Sequence, residues 1–400
     1  MIGTFPGRSQ ALGIMTKQLK ADFRMTNVDY ADINFWATLL GASACIGFGR
    51  LVDRVGVRWV TTALALSLGA VAWGTTLVST MMGFAVALTL TRALGQSALS
   101  VVSINITPQW FGRRLPLAMS VYSVVLSVGF VIAFLWAGAV VETQSWRVVW
   151  HVVSRMLVFG LAPLAAIFLR RGPEELGWER EPASSGNGSS QAIPVGSLTY
   201  RQALGSPAFW AFAIGSALYL VVSAGTGLFN EEIFGERHFT VTDYYTVIGV
   251  TTLASLIGNF LAGWLTDRVR LSWLMAVSMW LMAASLVAFL FAENRTHHLV
   301  QALAMGVSGG FVMVLFFAFW GRAFGPAHLG LIQGTAQVMT VLASALGPEV
   351  FAHVQKWTHS YVPVFWGLAA VVAAVGCWCS VVRMPKLPEL NSGPNPSPLP

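Results

Sequence analysis

The chain alternates long apolar runs with short polar breaks. Runs of about 20 to 26 residues fall at about 2–21, 29–52, 58–78, 82–107, 115–140, 146–170, 207–232, 242–266, 271–292, 298–320, 329–353 and 361–383. At 1.5 Å per residue, each is long enough as a helix to cross a hydrocarbon core of roughly 30 Å. Membrane barrels need strictly alternating segments of about 10 residues, and the sequence has none. The pattern predicts an all-α membrane protein with about 12 transmembrane helices.

Polar residues inside the runs fall on stripes. Thr89, Arg92, Gln96, Ser100 and Ser103 lie within an arc of about 80° on the fourth helix at 100° per residue. Ser216, Tyr219, Ser223, Thr226 and Asn230 make a similar arc on the seventh, and Gln333, Gln337, Thr340 and Ser344 on the eleventh. Such stripes either line an aqueous cavity or hold helices together.

Only one break is long. RRGPEELGWEREPASSGNGSSQAIPVGS, from Arg170 to Ser197, is rich in Pro, Gly, Ser and charge, as a linker is. It divides the chain into a six-helix bundle over 1–170, a cytoplasmic linker over 171–206 and a second six-helix bundle over 207–384. The tail 385–400, PKLPELNSGPNPSPLP, has too much proline to fold and is expected to be disordered. The first run carries Pro6, Arg8, Lys17 and Lys20, which makes a poor free-standing membrane helix. Either neighbouring helices shelter it or helix 1 is truncated at its N-terminus. It does not have the form of a signal peptide.

Composition agrees with a membrane protein. Hydrophobic residues make up 55% of the 400 and charged residues 10%, against about 25% charge in soluble domains. The net charge of +7 comes from basic residues scattered over short loops, which argues against nucleic acid as a partner. Arg54, Arg58, Arg113, Arg114, Arg170, Arg171, Arg268 and Arg270 gather on one side, while Glu231, Glu232, Glu236 and Asp243 lie on the other. By the positive-inside rule both termini are cytoplasmic, in a multi-pass protein of the cell membrane, the inner one in a Gram-negative cell. Cys45, Cys377 and Cys379 sit in apolar runs and suggest neither a disulfide framework nor a metal site. Neither a Gly-x-x-x-x-Gly-Lys loop nor a catalytic constellation occurs, so an enzyme, a cofactor and ATP as energy source are not expected.

Two apolar runs end in the same phrase, GRLVDRVGVR at Gly49 to Arg58 and GWLTDRVR at Gly263 to Arg270. Twelve spans, a central linker and this repeat together resemble the major facilitator superfamily of secondary transporters. The resemblance implies two pseudo-symmetric six-helix bundles that rock about a central site lined by helices 1, 4, 7 and 10. It also implies gating roles at the cytoplasmic side for Gly49, Leu51, Asp53, Arg54 and Gly56, with Arg92 and Gly95 of TRALGQSA behind them. The second copy, with Asp267 and Arg268, has Arg270 where the family has glycine, so its turn is expected to be looser and its latch weaker. RRGPEELG, SPAFWAF and SALGP (Ser344 to Pro348) are similar to the monocarboxylate and oxalate-formate branch.

A charge near the bilayer centre costs at least about 2.5 kcal/mol and should face water, a partner or a ligand. Helical rise puts Arg8 about 20 Å and Arg92 about 15 Å deep on two cavity helices, where they could clamp one anion. Bracing of backbone carbonyls is the alternative for either arginine, and a structural role suits Arg155. Gln96, Tyr219, Ser223 and Asn230 would orient the rest of the ligand. Glu349, with His353 one turn on, is a candidate for proton coupling or else pairs only with His353 or Lys356. Phe311, Phe316, Phe317, Phe319 and Trp320 on helix 10 either pack or flank an apolar substrate tail.

The expected function is secondary active transport of a small organic anion, a monocarboxylate first, by alternating access. Its expected partners are that anion, the lipid bilayer and a coupling proton or exchanged anion, and the chain is read as a monomer. Two other readings stay open at this point: a non-transporting receptor on the same scaffold, and an exporter of hydrophobic compounds.

Overall fold

A computed structural model describes residues 2–43, 55–100, 102–103, 106, 110, 115–170, 197–325 and 328–385. Its rods are α1 (Ser9–Phe23), α2 (Asn27–Ser43), α3 (Val57–Leu77) and α4 (Met81–Thr91, continued as a π-helix over Arg92–Leu99). Then come α5 (Leu115–Thr143) and α6 (Trp146–Arg155, π-helical over Met156–Leu161, α-helical again over Ala162–Phe168). The second half holds α7 (Pro207–Glu236), α8 (Val241–Leu265), α9 (Leu271–Leu290), α10 (Arg295–Phe324), α11 (Leu329–Thr358) and α12 (Val362–Val381). Eight helices among the described residues are long and apolar enough to cross a membrane. Large apolar side chains such as Trp36, Leu77, Phe159, Phe168, Trp264 and Trp357 are exposed around the outside, which suits lipid and not water.

Local chemistry sets the ends of the rods. Thr80, Ser145, Ser206 and Asn294 each accept a backbone N–H at a helix start, and Thr240 with Asp243 forms a reciprocal capping box. Gly325, at φ 80°, closes α10, and left-handed Arg24 and His359 close α1 and α11.

Glycine governs how closely the rods approach. Gly306 and Gly310, four residues apart on α10, lie against the backbone of α8, where Gly258 faces Val307 in return. A Cβ on Gly258 would stand 2.6 Å from the Val307 carbonyl oxygen. Small residues at this spacing let two backbones pack without intervening side chains.

Helix 1 departs from a single span over 2–21. Residues Ile2–Gly7 form a 3₁₀-helix, Arg8 is extended at φ −92° and ψ 140°, and the α-helix begins at Ser9. Pro6 has no N–H to continue a helix, and Gly7 lies so close to α4 that a Cβ would stand 2.8 Å from the Thr91 carbonyl oxygen. Neighbours do shelter the segment, since Thr4, Phe5, Pro6 and Gly7 are all buried.

The two Asp-Arg turns differ in backbone. Gly49, Leu51, Asp53 and Arg54 lie outside the described residues, as does Cys45. Gly56 precedes α3 at φ 96° and ψ 150°, a conformation open essentially to glycine alone. Arg270 precedes α9 at φ −58° and ψ 129°, which any L-residue adopts. At this position the second turn needs no glycine, and it is closed by Arg268 N and Val269 N both donating to Leu265 O at 2.9 Å. Gly56→Ala is expected to cost about 1 to 3 kcal/mol of stability, whereas Arg270→Gly should cost under about 1 kcal/mol. Thermal unfolding in detergent compares them.

Residues 171–196 of the expected linker, and 386–400 of the expected tail, lie outside the described residues. The end of the linker region is ordered against the second bundle. Leu198 N donates to Phe324 O at 2.9 Å, and a short helix, Tyr200–Leu204, is held by a Thr199–Gln202 capping box and by Tyr200 Oη at 2.9 Å from Thr335 Oγ1.

Candidate functional site: a cavity between the bundles

The bundles meet along three seams, α1 with α7, α2 with α11 and α5 with α8. At the end bearing the α1–α2 turn these seams are sealed. Gly13 of α1 lies directly on the Gly227 carbonyl of α7. One turn on, Thr16 Oγ1 donates to Leu228 O at 2.8 Å. That carbonyl is available because α7 kinks at Phe229, where φ −103° and ψ 15° interrupt the helical ladder.

Glu232 is the hub of the seal. It accepts from Lys20 Nζ of α1, from Asn27 Nδ2 of α2 at 2.8 Å and from Tyr361 Oη before α12 at 2.7 Å. Glu236 holds the same turn through Tyr361 N at 2.9 Å. Removing one partner of a half-buried ion pair leaves the other charge unsatisfied. Glu232→Gln should therefore weaken the seal by about 1 to 3 kcal/mol, enough to raise the unsealed population about tenfold or more. Spin labels on the α1–α2 and α11–α12 turns would then show a longer distance. An unchanged distribution would remove Glu232 from the seal.

Below the seal lies a cavity of about 320 Å³. Arg8 and Gln10 face it from α1, Ser127, Phe130 and Phe134 from α5, and Tyr219, Ser223, Thr226 and Asn230 from α7. The second bundle adds Thr251, Thr252 and Ser255 of α8 and Gln301 of α10.

Arg8 sits at the break in helix 1. Its Nε donates to Thr4 Oγ1 at 3.1 Å, and its guanidinium lies 4.4 Å from the centre of the Phe130 ring. Among the described residues it has no carboxylate partner. The unpaired N–H groups of the first turn of α1 begin immediately after it, so a cation and the positive end of a helix share one wall of the cavity. Such a wall can hold an anion.

Arg92 is placed elsewhere. It is 1% exposed, donates to Gln96 Oε1 at 2.6 Å and Ser9 Oγ at 3.2 Å, and also bonds Asn34 Oδ1. Gly41 packs on it so closely that a Cβ there would stand 2.8 Å from the Arg92 Cβ. Arg92 thus ties α1, α2 and α4 together inside the first bundle, and neither it nor Gln96 is among the cavity-lining residues. The structure does not bring Arg8 and Arg92 together on the cavity wall. Of the α7 stripe, Tyr219, Ser223, Thr226 and Asn230 line the cavity and Ser216 is buried.

The remaining candidates lie outside the cavity. The α11 stripe is not in its wall, and the helix 10 aromatics pack, Phe319 stacking on Phe212 with centroids 3.5 Å apart while Phe317 is exposed. Arg155 is exposed on the outside of the first bundle. Asp267 pairs with Arg322 of α10 in its own bundle at 2.7 Å, and Arg268 lies over Trp264 at 3.8 Å. Glu349 sits in the α2–α11 seam, where its carboxyl meets that of Asp32 and lies 3.3 Å from His353 Nδ1.

Sequence reasoning missed the α8 hydroxyls, although Thr251, Ser255 and Asn259 repeat every four residues as a helical stripe does. It also missed the Glu232 hub, whose partners lie 205 and 129 residues away for Asn27 and Tyr361.

No curated protein sequence matches the chain. Among solved structures, a bacterial homologue of the human lysosomal transporter Spinster, in an inward-facing and occupied conformation, superposes with a TM-score of 0.65 at 14% identity, covering 95% of this chain and 93% of that one. Its inward-facing, unoccupied form gives 0.65 at 13% identity over the same shares. A point mutant of the nucleoside transporter NupG gives 0.72 at 12% identity, covering 94% of this chain and 98% of that one. At these identities the likeness is one of fold. The sequence profile of the Major Facilitator Superfamily matches residues 9–348 and, a second time, 228–399. With this match over most of its length, the chain belongs to the Major Facilitator Superfamily, a family of secondary membrane transporters.

Proposed function

We propose that the protein moves a small organic anion, a monocarboxylate first, across the cell membrane by alternating access. One observation carries this reading: Arg8, a cation without a carboxylate partner among the described residues, lines the cavity at the N-terminus of α1. Arginine keeps its charge in such a site, and its planar fork matches a carboxylate. Tyr219, Ser223 and Asn230 orient the rest of the ligand from the second bundle, while Arg92 and Gln96 hold the first bundle's shape. The positive-inside reading puts the sealed end outside, so the arrangement is inward-facing and the Asp267 turn lies at the open, cytoplasmic end, where it and the GRLVDRVG phrase of the first bundle would gate.

Uptake of labelled lactate, pyruvate, formate and larger monocarboxylates into proteoliposomes tests the reading. Movement of cations or neutral sugars alone would defeat it while leaving the fold intact.

Glu349 is the candidate for proton coupling. It lies in the seam where α2 meets α11, 3.3 Å from His353 Nδ1, so a proton taken up or released there would bear on how the two bundles meet. Glu349→Gln cannot carry a proton. The variant should keep anion exchange but lose the acceleration of uptake by an imposed pH gradient. Equal acceleration in variant and wild type would remove the coupling role.

A further inference from the structure

The cavity offers more hydrogen-bonding groups than a carboxylate uses. Gln10 of α1, Ser127 of α5, Asn230 of α7 and Thr251 and Ser255 of α8 all line it, and among the described residues none of their side chains hydrogen-bonds to the protein. All five are half-buried, and none of their side-chain nitrogens or oxygens is closed off from solvent.

The three hydroxyls stand out from others on helices of this chain. A serine or threonine within a helix commonly donates back to its own main chain. Thr226 does so to Val222 O at 2.7 Å and Thr252 to Ile248 O at 2.8 Å, although both also line the cavity. Ser127, Thr251 and Ser255 keep their hydrogens and their lone pairs for whatever fills the space.

Charge limits that occupant. Arg8 is the single charged side chain among the described lining residues. A second carboxylate would find no cation there and an ammonium no acid, and burying either unpaired is costly. The wall therefore suits a cargo with one negative charge whose other groups are neutral.

Water decides which neutral groups fit. At the ~30 Å³ that a water takes up in the liquid, about 320 Å³ holds on the order of ten of them, more than a three-carbon acid displaces. A larger ligand must remake the hydrogen bonds of the waters it expels, and loses affinity where it cannot. A hydroxyl, donor and acceptor as water is, remakes them whichever way the Gln10 and Asn230 amides are turned. A methylene chain leaves them unmade. Phe130, Phe134, Phe289 and Phe365 supply apolar wall against which the C–H groups of such a ligand pack.

Building on the anion reading, we infer that the substrate is a polyhydroxylated monocarboxylate, a sugar acid of the aldonate or uronate kind. Arg8 takes the carboxylate, and the open amides and hydroxyls of both bundles take the alcohols.

The test is calorimetric binding to the full chain in detergent with gluconate, glucuronate, hexanoate, lactate and the neutral polyol glucitol. Gluconate or glucuronate should bind about tenfold or more tightly than hexanoate, which matches them in carbon number and charge but has no hydroxyls. Thr251→Val and Ser255→Ala, which remove an open hydroxyl with little change of shape, should each weaken sugar-acid binding about fivefold and leave hexanoate unchanged. The wild-type series stands alone if neither variant folds. Hexanoate binding as tightly as both sugar acids overturns the inference, and so does undiminished sugar-acid affinity in both folded variants. Lactate binding with no sugar acid bound at millimolar concentration does the same; all three results leave the anion reading in place. If glucitol binds as tightly as the sugar acids, if Arg8→Ala leaves their affinity unchanged, or if no acid binds at all, the anion reading itself fails.

Discussion

Arg8→Ala should lower anion uptake by about 100-fold or more, a loss of about 3 kcal/mol that matches removal of a charge-assisted bond from a site shielded from water. Arg8 has no carboxylate partner among the described residues, so its removal strands no protein charge. It also makes only one side-chain hydrogen bond among the described residues, to Thr4, so the fold should survive. Arg8→Lys keeps the charge but loses the fork and the flat contact with Phe130, and should retain a few per cent of uptake. Arg92→Ala should behave differently, because Arg92 ties three helices together: expression and thermal stability fall along with uptake. Uptake by Arg8→Ala at the wild-type rate would end its role as anchor. A collapse of the fold in that variant would make Arg8 a brace instead.

Gly13→Val should abolish transport while leaving binding measurable. Gly13 rests on the Gly227 carbonyl at the α1–α7 seam, and a Cβ there would stand 3.0 Å from the Gly227 carbonyl carbon, backbone that cannot rotate away. The sealed arrangement then cannot form, so the protein is held open at that end. Its cycle should slow by at least about 100-fold, since overpacking at a backbone contact costs about 1 to 3 kcal/mol or more. Spin labels across the seal should report a single long distance. Gly74, whose added Cβ would meet nothing within 4 Å, is the control. Normal turnover by Gly13→Val would show that the cycle does not pass through this contact.

The membrane architecture was legible because burial in lipid leaves a long-range signature, the 20-residue apolar run, that no other fold class writes. Candidate side chains were harder to place, for separate physical reasons. The α7 stripe could be read at 100° per residue because α7 is helical through Tyr219, Ser223 and Thr226. The α4 stripe could not, because residues 92–99 are wound as a π-helix, which packs more residues into each turn and rotates everything after it. Helical spacing also cannot separate a polar side chain facing water from one facing another helix, and Gln96 is of the second kind, bonded to Arg92. The glycine missing from the second Asp-Arg turn did have a physical meaning, though a different one: the backbone at Arg270 never enters the region that calls for it.

The broken first helix makes the proposed anchor a joint as well. Ile2–Gly7 is held inside the first bundle, whereas α1 reaches across to α7, and Arg8 is the extended residue between them. α1 is also tied to α5 and α6 of the first bundle, through Gln18 to Val141 O and Trp146 to Asp22, so the break is a point where the two parts of helix 1 can shift separately. A ligand that fixes the Arg8 side chain stiffens the same pivot, so the loaded and empty proteins swing against different resistance. The carrier should then respond to cargo waiting on the far side, trading one anion for another at a rate unlike that of returning empty.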